Sequence, residues 1–405
     1  MFYNRIPGDS FTHSVQEAQP YSTPAGKGGA SNYFSSLAQP FAAGSLGWSL
    51  SRWVDLTTGN GSGISQTTVQ EIFVTPVTYS WNLNAQYEFL PSWVLEVGYV
   101  GSHGIHQNNT HPINTAQLAS VSNPLYGIVT TNLRSNVPAR VPYLGFSAAT
   151  LSQESTDGDY KFNSLQATVR KQYSHGLTFQ AAYTFSRAFA NYAASTTSGR
   201  VSNDPLDSRQ QYGLNANYRP HRLVLSYNWN IPTRKISGVA VKLIGGWSLS
   251  GLTPIQDGQP LTLTDTRGGT IYGQPGTSRA QINPGFTYAD VLTPGDVKSN
   301  LNNYFNKAAL GLTPVIGDGT GWGNTGIGIA FGPGQFDWDI ALAKRTRVGG
   351  LREAPELQFR AEAVNLFNHA QFLNPGLAGN QGNFGLITGS SVNPRLLQLA
   401  LKYVF

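Results

Sequence analysis

Leu397, Leu399, Leu401, Tyr403 and Phe405 occupy every second position at the carboxy terminus, with Gln398 and Lys402 between them. Side chains alternate faces along an extended chain, so this spacing predicts a strand with one apolar and one polar face. The pattern recurs upstream. Trp81, Leu83, Ala85, Tyr87 and Phe89 interleave with Asn82, Asn84, Gln86 and Glu88, and after a turn at Leu90-Pro91-Ser92 come Trp93, Leu95, Val97 and Tyr99. Leu165, Ala167 and Val169 lead through Tyr173-Ser174-His175-Gly176 into Leu177, Phe179, Ala181, Tyr183 and Phe185, which reads as a hairpin. Further strands carry Leu223 to Trp229, Trp247 to Gly251, Phe336 to Leu342 and Leu357 to Ala363. Nine strands are predicted from Tyr79 onward, whereas residues 1–78 are expected to be mostly loop, with one more strand marked by Leu46, Trp48 and Leu50.

The connections alternate in length. Counted from the carboxy terminus they run long (Asn365 to Pro394), short (Arg347 to Glu356), long (Thr266 to Gly334), modest (Ile231 to Gly245), long (Arg187 to His221), short (Gln172 to Gly176), long (Gly101 to Lys161) and short (Leu90 to Ser92). A soluble sandwich has no reason to gather its long loops at one end, but an outer-membrane barrel has short periplasmic turns and long extracellular loops. Phe89, Trp93, Tyr173, Trp229, Trp247, Tyr403 and Phe405 fall near the short-turn ends, and Tyr99, Phe185, Phe336 and Trp338 toward the other rim, as two aromatic girdles would require. The fold class expected is therefore all-β: an antiparallel transmembrane β-barrel segment. A secreted all-β carbohydrate-binding module is the alternative.

Composition agrees with a lipid-exposed wall. Only 12% of the residues are charged, against about 25% in ordinary soluble domains, while 12% are aromatic. With no Cys, the chain has neither disulfides nor thiolate metal sites, as suits an oxidising compartment. The net charge of +6 is spread along the chain, without the Lys/Arg runs of a nucleic-acid surface, so no nucleic-acid partner is expected. No apolar stretch reaches the roughly 18 residues of a transmembrane helix, so any crossing must be made by strands. Residues Met1 to Gly8 do not read as a signal peptide, and an outer-membrane protein needs one; the chain is expected to be the carboxy-terminal piece of a longer precursor.

Candidate chemistry is sparse. His103, His106 and His111 lie within nine residues, in what reads as a polar loop, where three imidazoles could bind a transition metal but such spacing is usually incidental. Asp337 and Asp339 share one strand face, a carboxylate pair of the kind glycosidases use and equally of the kind a hydrated lumen contains. The Gly-rich stretch from Gly317 to Gly334 precedes a strand rather than a helix, so it does not read as a phosphate loop. No nucleophile elbow is present. Neither an enzymatic activity nor a cofactor nor a metal site is expected.

Several segments carry a family resemblance: Trp93 to Ser102, Phe162 to Lys171 with His175 to Arg187, Pro220 to Tyr227, Gly246 to Gly251, and Phe359 to His369. Together they resemble the carboxy-terminal part of the Oar-like TonB-dependent receptors, most specifically in Asn365, Leu366, Phe367, Asn368 and His369. The resemblance covers most of the chain after Tyr79. It implies part of a 22-stranded barrel in the outer membrane of a Gram-negative-type cell, inserted by the barrel-assembly machinery and taking up a ligand such as a glycan, a peptide or a chelated metal. Such receptors couple to the TonB system through a plug, and neither a plug nor a TonB box is found here.

Overall fold

The computed structural model describes residues 2–3, 66–144, 146–191, 203–232, 243–276, 278–348 and 355–404. The strand expected at Leu46 to Leu50, and Phe405, lie outside them. Among the described residues nine long strands form the wall: β1 (Val77–Leu90), β2 (Trp93–Pro112), β3 (Leu151–Ser174), β4 (Leu177–Ala190), β5 (His221–Asn230), β6 (Trp247–Gln256), β7 (Asp339–Arg347), β8 (Glu356–Val364) and β9 (Leu396–Val404). Each pairs antiparallel with its neighbours in sequence, giving one continuous up-and-down sheet. The sheet is open. Among the described residues β9 pairs only with β8, while the far edge of β1 carries only the two-residue strand Phe2–Tyr3.

The alternation read from the sequence is realised across the whole sheet, because residues paired across a ladder share a face. One row runs Ala85, Val97, Ala167, Tyr183, Leu223, Ile255 and Phe336. Nearer the short turns another runs Leu177, Trp229, Leu249, Leu342, Ala361 and Leu399. On the opposite face lie Asn84, Gly98, Gln166, Thr184, Arg222, Gln256 and Gln335. From Leu177 to Phe185 the apolar stripe of β4 extends about 27 Å along the strand, the scale of a membrane's apolar band.

The short turns follow from local chemistry. Between β3 and β4, His175 (φ 51°) and Gly176 (φ 82°) both take positive φ, the primed hairpin turn whose twist matches the flanking strands. A Cβ on Gly176 would stand 2.3 Å from the Asn230 carbonyl oxygen, so glycine is required there twice over.

One connection differs from expectation. The segment from Gly101 to Lys161 is not all loop: β2 runs on to Pro112 and β3 begins at Leu151, making strands of 20 and 24 residues. At about 3.3 Å per residue these are far longer than a bilayer crossing needs, and the excess stands beyond the long-loop rim. The register shifts between Gly104 and Gln107 and between Gln107 and Asn109, so the period of two is lost while the ladder hydrogen bonds continue.

Candidate functional site

The wall itself is the first functional element. Leu397, Leu399, Leu401 and Tyr403 are all exposed, Leu399 by 73%, and Leu83 on β1 by 75%. Exposed apolar side chains on β1 and β9, recurring at Val97 and Tyr99 on β2, Leu165 on β3, Trp229 on β5 and Ile255 on β6, suit lipid, not water. Charged residues of the membrane-spanning strands gather on the other face, where Glu96 accepts a hydrogen bond from Asn84 (2.6 Å) and Arg360 pairs with Glu362. Lys171 and Lys344 stand instead on the apolar face at its short-turn end, facing Trp93 and Trp247 across their ladders, and Lys161 and Arg187 stand on it toward the long-loop rim.

The Asn365 to His369 segment is a corner. Asn365, 3% exposed and left-handed (φ 52°), accepts from His369 N at 2.9 Å and donates to His369 O at 3.1 Å and to Asn393 O. Asn368 Oδ1 accepts from Arg395 N, one residue before β9. Phe367 meets the Trp338 ring edge-on at 5.1 Å, and Leu366 N donates to Trp338 O. The motif thus turns β8 outward and sets the start of β9. Asp339 Oδ1 accepts from Asn365 N, and Asp337 Oδ1 from Trp338 N, so this carboxylate pair caps backbone.

The histidines sit on the extension of β2, not in a loop, and they are not brought together. His103 Nε2 contacts Asp159 Oδ2 at 2.7 Å, His106 Nδ1 faces the Thr156 carbonyl, and His111 Nδ1 lies near Ser155 Oγ and Asp157. Among the described residues no group of three metal-ligating side chains converges.

Beyond the wall lies an element that strand periodicity does not show: the long loops are a packed layer with its own core. Leu263, Ile271, Val291 and Phe305 are wholly buried there, and Phe305 stacks on Phe384 (centroids 5.2 Å apart), joining the loop after β6 to the loop after β8. Burial and a hydrogen bond to the Phe331 carbonyl hold Tyr304 in the same core; desolvation pushes its phenol up to about 12. Arg140, from the loop after β2, is 1% exposed, and desolvation lowers its pKa. Its Nε donates to Asn136 Oδ1, Nη1 to the Gln117 carbonyl, and Nη2 to the Leu133 and Ile271 carbonyls, tying that loop to the one after β6. Asn203, from the loop after β4, accepts from Arg279 N at 2.9 Å.

No curated protein matches this sequence. Among solved structures, the outer membrane transporter YddB from Escherichia coli is similar at 12% identity and a TM-score of 0.40, over 84% of this chain and 34% of that one. BauA, the ferric preacinetobactin receptor from Acinetobacter baumannii, is similar at 12% identity and a TM-score of 0.38, over 83% and 30%. The ferric citrate transporter FecA is similar at 11% identity and a TM-score of 0.34, over 82% and 31%. The chain thus spans about a third of the length of these structures. A family model matches residues 1–398, nearly the whole length of a chain whose sheet has one lipid-compatible and one polar face, and the protein belongs to the outer membrane β-barrel domain family.

Proposed function

We propose that the chain supplies the carboxy-terminal wall strands and the outward-facing loop layer of a TonB-dependent receptor of the Oar-like kind, which takes up a ligand across the outer membrane. The observation that carries this is the pairing of a two-faced open sheet with a cored layer built from the long loops at one end. The edges that the described residues leave open in lipid, along β9 and most of β1, would each present a row of unsatisfied backbone groups, costing several kcal/mol apiece, so further strands complete the barrel. A plug would couple it to TonB. The ligand class is a glycan, a peptide or a chelated metal, and the polar face is the wall of its route. The carbohydrate-binding sandwich is disfavoured because a sandwich buries its apolar face under a second sheet, and here Leu83, Leu397 and Leu399 stand exposed.

Orientation is the test, and a chain without Cys is convenient for it. A single Cys at Ser299, exposed in the loop layer, should react with an impermeant thiol reagent on intact cells, whereas one at Ser92, in the β1–β2 turn, should be shielded. Labelling of Ser92→Cys without Ser299→Cys would invert the topology and refute the reading.

A further inference from the structure

The loop layer contains a second buried arginine whose situation is the opposite of Arg140's. Arg279 is 3% exposed, yet among the described residues only its Nε finds a side-chain hydrogen bond, to the Thr325 carbonyl at 2.5 Å. Nη1 is buried and without a partner among the described residues. Buried donors are almost always satisfied, and an unpaired buried guanidinium is among the costliest exceptions. Arg140, four carbonyl and amide bonds deep in the same layer, shows that this fold can satisfy an arginine where the role is structural.

Arg279 lines a cavity of about 420 Å³ together with Trp322, Tyr272 and Asn324, a volume in the range of small-molecule sites. Trp322 Nε1 is a further buried donor without a partner. Its indole stacks on Tyr272, with centroids 3.7 Å apart and planes 11° from parallel, giving the cavity an aromatic wall. Gly269, at φ 84°, makes room for it: a Cβ there would stand 3.0 Å from Trp322 Nε1. The amides nearby are already engaged, Asn203 with Arg279 N and Gly323 O, Asn324 with Ile282 N. What the cavity has to spare is therefore N–H donors around one positive charge.

We propose that this cavity is a binding site for a small carboxylate carried on a ring, with the Arg279 guanidinium as the anchor, Trp322 Nε1 as a second donor and the Tyr272–Trp322 stack as the wall. The planar fork of arginine matches a carboxylate in two parallel hydrogen bonds. Arg279 is the one charged residue among the described residues of the lining, with Asp207 as an acidic neighbour and with Asp204 and Arg140 opposing each other at Tyr272, which suits one negative charge rather than the nearly two of a phosphate. The ring could be that of a sugar acid or of an aromatic acid.

The test is calorimetric titration of the full chain in detergent micelles with glucuronate, benzoate, inorganic phosphate, glucose and benzyl alcohol. At least one of the two carboxylates should bind saturably, one per chain, with a Kd at or below about 1 mM, and the preferred one identifies the source. Phosphate and the neutral analogues should bind at least about tenfold more weakly. Arg279→Gln should weaken the preferred carboxylate about tenfold or more, and Trp322→Phe, which keeps the ring but deletes the donor, about threefold to tenfold. Should Arg279→Gln lose its native near-ultraviolet circular dichroism, Trp322→Phe decides alone. The site is refuted if neither carboxylate saturates or if the folded variants bind like the parent, and its carboxylate assignment is refuted if phosphate binds as tightly. A place on an uptake route rests on the function proposed above, but the titration does not. Its failure would leave the barrel orientation standing, and inverted thiol labelling would leave the titration standing.

Discussion

The ammonium of Lys344 lies 4.8 Å from the centroid of the Trp247 indole, directly opposite it in the β6–β7 ladder. Lys171 repeats the arrangement over Trp93 at 5.7 Å, again as a cross-strand pair. Each lysine is on the apolar face yet satisfied: Lys344 donates to the Leu243 and Gly245 carbonyls, Lys171 to Ser174. Lys344, half-buried, snorkels at the membrane boundary with its head among turn carbonyls, whereas Lys171 is buried against its turn. Lys344→Ala should cost about 1–2 kcal/mol, from the lost cation–π contact and two orphaned acceptors. Lys344→Glu should cost more, because it aims a carboxylate at those carbonyls. Urea titrations in lipid vesicles would check both, and equal stability of the parent and Lys344→Glu would refute the placement.

The two faces make a sharper prediction on β9. Leu399 is in the apolar row that includes Leu249 and Leu342, and its neighbour Gln398 is in the polar row with Glu362. Leu399→Arg should destabilise by about 2–4 kcal/mol if the residue is near the bilayer midplane, and Gln398→Arg by well under 1 kcal/mol. Folding titrations that found the two equal would contradict this assignment of faces.

At the Asn365 corner, three hydrogen bonds and a left-handed backbone depend on one side chain. Asn365→Ala should cost about 2–4 kcal/mol, combining buried unsatisfied backbone groups with strain at positive φ. Asn365→Gly keeps the backbone freedom and should recover roughly 1 kcal/mol of that. If the two variants unfold at the same denaturant concentration, the left-handed conformation is not part of the cost.

The Tyr304 phenol ties loop-layer stability to alkaline pH. Its folded pKa, about 12, is above the ordinary tyrosine value near 10. The stabilisation is therefore complete below pH 10 and lost as pH rises toward 12, by about 2–3 kcal/mol in all. Tyr304→Phe should be less stable at neutral pH, having left the Phe331 carbonyl unpaired, but its stability should fall less steeply across that interval. Near-ultraviolet circular dichroism against pH would follow it, and parallel profiles for the two proteins would refute the coupling.

The wall was legible because lipid on one side and water on the other force a period of two, and all nine strands carry it. Where that constraint ends, so does the signal. Gly101 to Pro112 is strand held by ladder hydrogen bonds to β3, but with two register shifts and no lipid to face, its side chains keep no alternation, and His103, His106 and His111 read as loop residues. The loop core was hidden for another reason. Leu263, Val291, Phe305 and Phe384 are far apart in sequence, and only tertiary contact makes them neighbours. Short apolar steps between Gly, Pro and Asn from Leu261 to Phe305 were the available hint. The family motif at Asn365 was visible, while its role as a corner depended on partners at Asp339, Asn393 and Arg395, which no local pattern reveals.

The shared core of the loop layer restricts how such a protein can be recombined. The loop after β6 is held by Phe384 and the Gly385 carbonyl on one side, by Arg140 on another and by Asn203 on a third. A chimera that receives any one of the four long loops from a relative would bring Phe305 to a foreign ring, leave Arg140 without the Ile271 carbonyl, or leave Arg279 N without Asn203. A chimera that receives all four keeps every one of these contacts. The layer, not the loop, is the unit of exchange.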